Sequence, residues 1–331
     1  MPSPRPTLLR AAASIALATF TTFAAFSTAQ AQTAPYPNKP IKFIVAFAPG
    51  GPADIIARLL GQRLGDVLGQ PVVVENRPGA GGNVTSGIVA KAVPDGYTLM
   101  INTSSLAVNA SLSKKTGFDA EKDFALASVV ASSPNLLVAY PGLKAKNLAE
   151  VVAEAKSGKY NYGTAGAGTT PHLTAEYLFK VLAKVDVTHV PFQGAGPALA
   201  ATMGGQVELA SVALPAAVEM VKGGKVRGLA VTSAKRVAAI PDVPTVAESG
   251  FPGFEDYTWV GVFAPKATPV EIVQKLNGEI EKILRTPEFQ TRLANVGFEP
   301  VGGTTEQASA YLKTELQKWA KVVKETGAAT D

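Results

Sequence analysis

The chain has 331 residues, no cysteine and a formal net charge of +5. The absence of cysteine excludes disulfides, thiolate metal ligands and cysteine nucleophiles. The charge excess is small and the basic residues are dispersed, so a nucleic-acid partner is not expected. The length is enough for two domains.

The N-terminus has the pattern of an export signal. Arg5 and Arg10 precede an apolar run over residues 11–26, and Ala29-Gln30-Ala31 offers a cleavage site. The run is too short and too rich in small residues for a helix that spans a membrane. We therefore expect residues 1–31 to be a signal peptide cut after Ala31, which places the mature protein outside the cytoplasm. An uncleaved membrane anchor is the alternative.

The chain is organised around an apolar strand that runs through two glycines into a helix. Residues 41–47 are nearly all apolar, as in a strand buried on both faces of a parallel sheet. Gly50 and Gly51 permit a tight turn, and Pro52 suits the first helical position. Asp54 lies where a carboxylate can reach back to the turn. Free N–H groups at such a helix start favour a carboxylate or phosphate, although the same turn also forms without a ligand.

The same succession of strand, turn and helix recurs along the chain. Further strands are predicted over residues 70–75, 97–101, 159–163 and 187–190. Because strands and helices alternate, we expect parallel pairing with right-handed crossovers. Ligands of such sheets lie beyond the carboxyl ends of the strands, so several helix N-termini could converge on one cleft.

The chain is predicted to pass into a second lobe and to return. Apolar runs at 124–130 and 136–140 are separated by Ser132-Ser133-Pro134, where we place the passage. A long apolar strand at 258–263 follows the return. Thr268-Pro269-Val270-Glu271 then predicts a capping box that opens a helix.

Motifs of the common enzyme classes are missing from the sequence. The order of Gly163, Gly166 and Gly168 is wrong for the dinucleotide fingerprint, and neither a P-loop nor a G-x-S-x-G elbow occurs. His172 and His189 have no second histidine at metal-ligand spacing. We interpret His172 as a polar residue in the first turn of a helix, with a ligand contact as the alternative. We predict no enzyme activity, no cofactor and no metal site, while a carboxylate acid–base pair is left open.

Several short motifs follow one another along the mature chain. They are YPNKPI at residues 36–41, PGGPAD at 49–54, VVENRPGAGGN at 73–83, PDGYTL at 94–99, HVPF at 189–192, LAVTS at 229–233 and PDVPTVAE at 241–248. In this order they resemble the Bug (TctC-like) family of periplasmic solute receptors, which serve tripartite tricarboxylate transporters. The resemblance spans essentially the whole mature chain.

The resemblance implies an α/β fold, a two-lobed periplasmic binding protein of the type II kind. Each lobe would hold a mixed sheet flanked by helices, with a cleft between the lobes. We expect residues 36–132 and 258–331 to form domain 1 and residues 133–257 to form domain 2. The implied function is capture of a small organic carboxylate, followed by hinge closure and docking on membrane permease subunits. The receptor is expected to be a monomer.

The resemblance also implies which residues contact the ligand. Family members bind carboxylates with backbone amides and hydroxyls, aided by bridging waters. In the first lobe the corresponding residues are Phe47, Ala48, Gly50, Gly51, Asp54, Asn83, Ser104 and Ser105. In the second lobe they are Gly166, Ala167, Gly168, Thr169, Thr170, His172, Phe192, Gln193, Gly194, Ala195, Ala213 and Leu214.

One departure from the family pattern bears on the ligand. Many members carry an acidic or other polar residue in the strand after Gly205-Gln206, where this chain has Ser211-Val212-Ala213-Leu214. An ammonium group would lack an anionic partner there, so we expect a plain di- or tricarboxylate, or an aromatic acid, rather than an amino acid. Phe47, Phe192 and Trp259 could flank a cleft for an aromatic acid, although we favour core positions for all three. Two other functions stay open, an exported α/β enzyme acting on the same carboxylates and a receptor that reports to a sensor.

Overall fold

The computed structural model describes residue 1 and residues 35–113, 116–158 and 160–329. The predicted signal peptide, apart from Met1, lies outside these residues. Every strand and helix described below belongs to one compact unit, Lys39–Asp331. None of the helices in the described ranges is long and apolar enough to cross a membrane.

Strands and helices alternate along most of this unit. The strands are β1 (Ile41–Val45), β2 (Val72–Asn76), β3 (Thr98–Thr103), β4 (Phe124–Ala139), β5 (Asn161–Thr164), β6 (Thr188–Pro191), β7 (Leu209–Ala213), β8 (Arg227–Val231), β9 (Tyr257–Pro265) and β10 (Glu299–Pro300). The helices are α1 (Pro52–Leu68), α2 (Asn83–Val89), α3 (Ser105–Leu112), α4 (Leu148–Ala155), α5 (Thr170–Glu176), α6 (Ala195–Met203), α7 (Val218–Lys222), α8 (Val270–Leu284), α9 (Pro287–Asn295) and α10 (Thr305–Thr326). Short 3₁₀ turns precede α2 and α7, and a π-helical turn continues α5.

The strands form a curled mixed sheet in the order β2-β1-β3-β9-β4-β7-β5-β6. As predicted from the alternation, β1 pairs in parallel with β2 and β3, and β5 pairs in parallel with β6 and β7. The strands β4 and β9 run antiparallel to their neighbours, and β8 and β10 pair with β4. We call the elements around β2, β1, β3 and β9 the first lobe, and those around β7, β5, β6 and β8 the second lobe. Each lobe is a mixed sheet flanked by helices, which confirms the expected fold class.

The long strand β4 belongs to both lobes. Its residues 124–134 pair with β9, whereas residues 135–139 pair with β7 and β8. The sequence analysis took residues 124–130 and 136–140 as two apolar runs separated by Ser132-Ser133-Pro134, and in the structure both runs belong to this one strand. Pro134 faces Tyr257 in the last pair of the β4–β9 ladder, where the strand changes partner and the missing N–H of proline is tolerated. The passage between the lobes therefore lies inside a strand.

A buried polar network surrounds this crossing. The side-chain amide of Asn135 donates to the Asp256 carboxylate (3.0 Å) and to Thr174 Oγ1 (3.1 Å), and its oxygen accepts from the hydroxyl of Thr258 (2.7 Å). Thr174 also donates to Asp256, and Lys318 Nζ of α10 lies 3.0 Å from the same carboxylate. Because buried polar groups are costly unless paired, these bonds fix β4, β9 and α5 relative to one another.

Trp259 belongs to the core of the first lobe. Its side chain is fully buried, and Nε1 donates to the carboxylate of Glu315 in α10 at 2.8 Å. Trp319 of the same helix donates to that carboxylate at 3.0 Å. The favoured interpretation of Trp259 as a core residue is therefore confirmed. The alternation of β9 turns this side chain toward α10.

The predicted capping box at the start of α8 is also wrong. The helix begins at Val270, and its N-cap is Pro269, which offers no side-chain acceptor. The N–H of Thr268 bonds to Pro265 O (3.0 Å) in the preceding turn, and its buried Oγ1 has no hydrogen-bond partner among the described residues. A capping box does occur at α10, between Thr304 and Gln307.

The network at the crossing can be tested by Asp256→Ala, which removes an acceptor shared by three side chains. Leaving the buried donors unpaired should lower the free energy of unfolding by about 3 kcal/mol. Urea denaturation at pH 7 would measure this loss. Asp242→Ala, at an exposed position, is the matched control and should stay within about 0.5 kcal/mol of the wild type. Equal stabilities of the two variants would contradict the assigned role of the network.

Candidate functional site

The first glycine turn is held from behind by Asp54. Its carboxylate accepts the N–H of Gly50 (3.0 Å) and the amide of Asn76 (3.0 Å), and pairs with Arg58 (2.9 Å). Burial raises the pKa of Asp54, but the bonds from Arg58, Gly50 and Asn76 outweigh it and hold this pKa below its usual value. Asn76 also donates to Phe47 O (2.9 Å). The predicted reach of Asp54 back to the turn is confirmed, and it shapes residues 47–51.

Two cavities adjoin between the lobes. The inner cavity has a volume of about 20 Å³ and is lined by Phe47, Gly51, Pro52, Thr103, Ser105, Ala165, Thr169, Pro171, Ala195, Ala213 and Thr258. The outer cavity has a volume of about 420 Å³ and is lined by Phe47, Gly79, Ala80, Gly81, Asn83, Asn109, Ser113, Ala165, Gly166, Ala167, Pro191, Phe192 and Gln193. Within the described part of the chain, all of these lining residues are uncharged.

The structure brings predicted contact residues from both lobes to these cavities. Those that line the inner cavity are Phe47, Gly51, Ser105, Thr169, Ala195 and Ala213. Those that line the outer cavity are Phe47, Asn83, Gly166, Ala167, Phe192 and Gln193. The predicted residues outside both linings are Ala48, Gly50, Asp54, Ser104, Gly168, Thr170, His172, Gly194 and Leu214.

Backbones of the two lobes approach closely at a seam beside the cavities. The N–H of Ala48 donates to Gln193 O at 3.4 Å. A Cβ atom on Gly81 would lie 2.1 Å from Ala167 O, and one on Gly194 would lie 2.9 Å from Ala48 Cβ. Non-bonded carbon atoms prefer separations of about 3.5–4.0 Å, so a side chain at either position would prevent this close approach of the lobes.

Asn109 of α3 links the glycine turns of the two lobes, and sequence reasoning missed it. Its side-chain amide donates to Gly81 O (3.1 Å) in the first lobe and to Gly168 O (3.1 Å) in the second. It also donates to Ser105 O (2.9 Å) in its own helix. The residue is 2% exposed. A polar residue inside the apolar run 106–112 was the signal that could have found it.

Hydroxyl groups of both lobes meet near the inner cavity. The fully buried hydroxyls of Ser104 and Thr170 bond to each other across the cleft. In the first lobe, Thr103 Oγ1 donates to Ser105 Oγ at 2.8 Å. Hydroxyls and backbone N–H groups are neutral donors, so this region can hold an anion through hydrogen bonds without a salt bridge.

Two stacked histidines support the glycine turn of the second lobe. The rings of His172 and His189 lie 3.9 Å apart with an angle of 25° between their planes. His172 Nδ1 accepts the N–H of Gly168 (3.3 Å), and His189 Nε2 bonds to Thr164 Oγ1 (2.7 Å). Burial lowers the pKa of His172 to about 4 and that of His189 to about 3. Both rings are therefore neutral at pH 7. In the described ranges, no group of three or more His, Cys, Asp or Glu residues could hold a metal ion.

Comparison with known proteins gives the family. A family model described as the tripartite tricarboxylate transporter family receptor matches residues 56–328. The chain belongs to this family. Protein BugT of Bordetella pertussis is 39% identical over 297 residues, which cover 88% of this chain and 91% of BugT.

Solved structures agree with this assignment. A Rhodopseudomonas palustris protein solved with adipate is 36% identical, with a TM-score of 0.86 over 89% of this chain and 99% of that protein. The periplasmic binding protein BugD is 34% identical, with a TM-score of 0.85 over 89% of this chain and 100% of BugD. The resemblance stated from the motifs is thus confirmed. Family members are receptors, which argues against the exported enzyme.

The histidine stack predicts a pH dependence of stability. An unfolded histidine titrates near pH 6.5, so below that pH the unfolded chain binds protons that the folded chain excludes. The free energy of unfolding should be highest above pH 6.5. Below that pH it should fall by about 1.4 kcal/mol per pH unit for each histidine, as the pH decreases toward about 4. Urea denaturation at pH 7 and pH 5 would measure the slope. His189→Gln keeps a partner for Thr164 without a titrating ring, and should remove about half of the loss. Equal losses in the wild type and the variant would contradict the assignment.

Proposed function

We propose that this protein captures a small organic carboxylate between its lobes and delivers it to a tripartite tricarboxylate transporter. The supporting observation is that loops of both lobes converge on cavities whose described lining residues are all uncharged, among them serine, threonine, asparagine and glutamine beside small and aromatic residues. Uncharged donors of this kind bind a carboxylate through charge-assisted hydrogen bonds. The relative solved with adipate has a similar fold and supports the same ligand class.

The proposed contacts divide by their place in the site. The residues that line the cavities would touch the ligand, and the seam residues Ala48, Gly168 and Gly194 would join the lobes around it. Asp54 and His172 act behind the glycine turns, because their side chains bond to backbone N–H groups of those turns. Ser104 and Thr170 would fasten the lobes beside the inner cavity.

The lobes are proposed to close about β4, the strand that belongs to both of them. We place domain 1 at residues 36–132 and 258–331 and domain 2 at residues 133–257. The change of pairing partner of β4 at residues 134–135 supports these bounds. A hinge of this kind absorbs rotation at a few backbone positions and leaves the lobes rigid.

Export and partner follow from the family. Its members are receptors of tripartite tricarboxylate transporters. We therefore propose that the protein is cleaved after Ala31, acts as a monomer in the periplasm and docks on membrane permease subunits when closed. A receptor that reports to a sensor would capture its ligand in the same way and would differ in its partner.

The ligand class can be tested by a thermal-shift screen of the exported protein with citrate, succinate, adipate, benzoate, glutamate and aspartate. A ligand at 100 times its Kd that binds only the folded state stabilises it by about 2.7 kcal/mol. We expect acids without an ammonium group to stabilise the protein in this way. An ammonium group would find no anionic partner among the described lining residues. If no acid raises the melting temperature, the proposal of carboxylate capture is wrong. Tight binding of glutamate or aspartate would contradict the expectation of an acid without an ammonium group. Turnover of any of these acids would favour the exported enzyme.

Closure can be tested by Gly194→Ala. The backbone of Gly194 is extended, so alanine causes no strain within its own lobe, but its Cβ would lie 2.9 Å from Ala48 Cβ across the seam. We expect the Kd for an acid found in the screen to rise about tenfold, which corresponds to 1.4 kcal/mol, with little change in the unfolding free energy of the free protein. Isothermal titration calorimetry would measure the Kd. Gly278→Ala in α8, where a Cβ meets open space, is the control. An unchanged Kd in the Gly194 variant would contradict closure at the seam.

A further inference from the structure

The side-chain amide of Asn109 has more acceptors than hydrogen atoms. An asparagine amide carries two N–H donors. Its nitrogen lies within bonding distance of Ser105 O (2.9 Å) and Gly81 O (3.1 Å) in the first lobe, and of Gly168 O (3.1 Å) in the second. The two carbonyls of the first lobe are therefore enough to satisfy this amide, and Gly168 O is an additional acceptor from the other lobe.

Helix α3 holds Asn109 in the first lobe. Leu106, Ala107 and Val108, which precede it on this helix, are buried in the core of that lobe. The amide bonds to the carbonyl of Ser105, one helical turn earlier, so its direction is set by its own helix. The donors of Asn109 therefore keep their position whether or not the second lobe is near.

The turn at Gly168 comes very close to Asn109. Gly168 is buried, and a Cβ atom at this position would overlap Asn109 Oδ1. Burial removes water from the Gly168 carbonyl, so this carbonyl needs a protein donor when the lobes meet, and the amide of Asn109 supplies one. When the lobes separate, water can bond to the carbonyl instead, and the amide keeps its partners in the first lobe.

We propose that Asn109 is a latch that favours the closed conformation of the protein, in the free state as well as with a ligand. It is a positioning residue, since it pairs the Gly168 carbonyl when closure buries it and holds the Gly81 turn against the second lobe. Both Gly81 and Asn109 line the outer cavity, so the latch also forms part of the wall of this cavity. The inference rests on the closure included in the proposed function, but not on the class of ligand.

Thiol labelling of the free protein tests the latch. The chain has no cysteine, so Ala195→Cys introduces a single thiol. Ala195 is 2% exposed and lines the inner cavity between the lobes, so a thiol reagent reaches this position when the lobes open. The labelling rate, relative to that of the urea-unfolded protein, therefore measures the open fraction. Adding Asn109→Ala should raise this rate about fivefold or more, because closure would then bury the Gly168 carbonyl without its donor.

Asn277→Ala in the same Ala195→Cys protein is the matched control. The amide of Asn277 also joins two carbonyls, Ala127 O (2.8 Å) and Gly303 O (2.9 Å), but both lie in the first lobe. This variant should lose stability in urea as Asn109→Ala does, yet keep the original labelling rate. If Asn109→Ala does not fold, Asn109→Ser takes its place. A serine hydroxyl in a helix can bond to the carbonyl four residues earlier, here Ser105 O, which leaves no donor for Gly168 O.

Two results would overturn the latch. One is an equal labelling rate in the Asn109 variant and the Asn277 control. The other is a thiol in the Ala195→Cys protein that reacts as fast as in the unfolded chain, because the free lobes would then not be held closed. Both results would leave carboxylate capture standing. Conversely, a ligand screen in which no acid stabilises the protein would not alter the labelling rates, so failure of one proposal can be distinguished from failure of the other.

Discussion

The lobes meet through their backbones, and this contact is possible only where side chains are absent. At the seam, a Cβ atom on Gly81 or Gly194 would overlap the opposite lobe. The close approach brings N–H groups, carbonyls and short hydroxyl side chains of both lobes to one place. The cavities beside this seam are lined by uncharged residues throughout the described part of the chain. An anion held here is bound by many weak dipoles rather than by one cation, and dipoles fixed in position need little reorganisation.

Glycine turns are the most flexible kind of loop, so a site built from them needs support. That support comes from polar side chains that face away from the cavities. Asp54 fixes the first turn through Gly50, and His172 fixes a turn of the second lobe through Gly168. Asn109 joins the Gly168 turn to another turn of the first lobe, at Gly81. The ionisable groups of this region thus stabilise the backbone, and their burial and pairing keep Asp54 charged and His172 neutral at pH 7.

Local patterns predicted the parts of the fold that are decided locally. The strand, turn and helix from Ile41 to Leu68, the parallel pairing and the glycine turns follow from periodicity and from backbone preferences. The continuity of β4 through Pro134 was missed because it depends on pairing with β9, more than a hundred residues away. Asn109 and the stacking of His172 on His189 were missed for the same reason, since partners brought together by folding leave no spacing signal. The core position of Trp259 was the favoured interpretation, and the fold added its partners Glu315 and Tyr311.

The strand shared by the lobes has a mechanical consequence. Where β4 crosses from one lobe to the other it remains hydrogen-bonded, first to β9 and then to β7 and β8. Rotation of one lobe against the other must therefore bend a hydrogen-bonded strand. Unpaired loops would instead allow rotation in many directions. A paired strand bends smoothly, returns elastically and permits few directions of motion. In the proposed closure, such a strand would guide the lobes along few paths and bring the seam residues into register, with little conformational entropy lost in the connection itself.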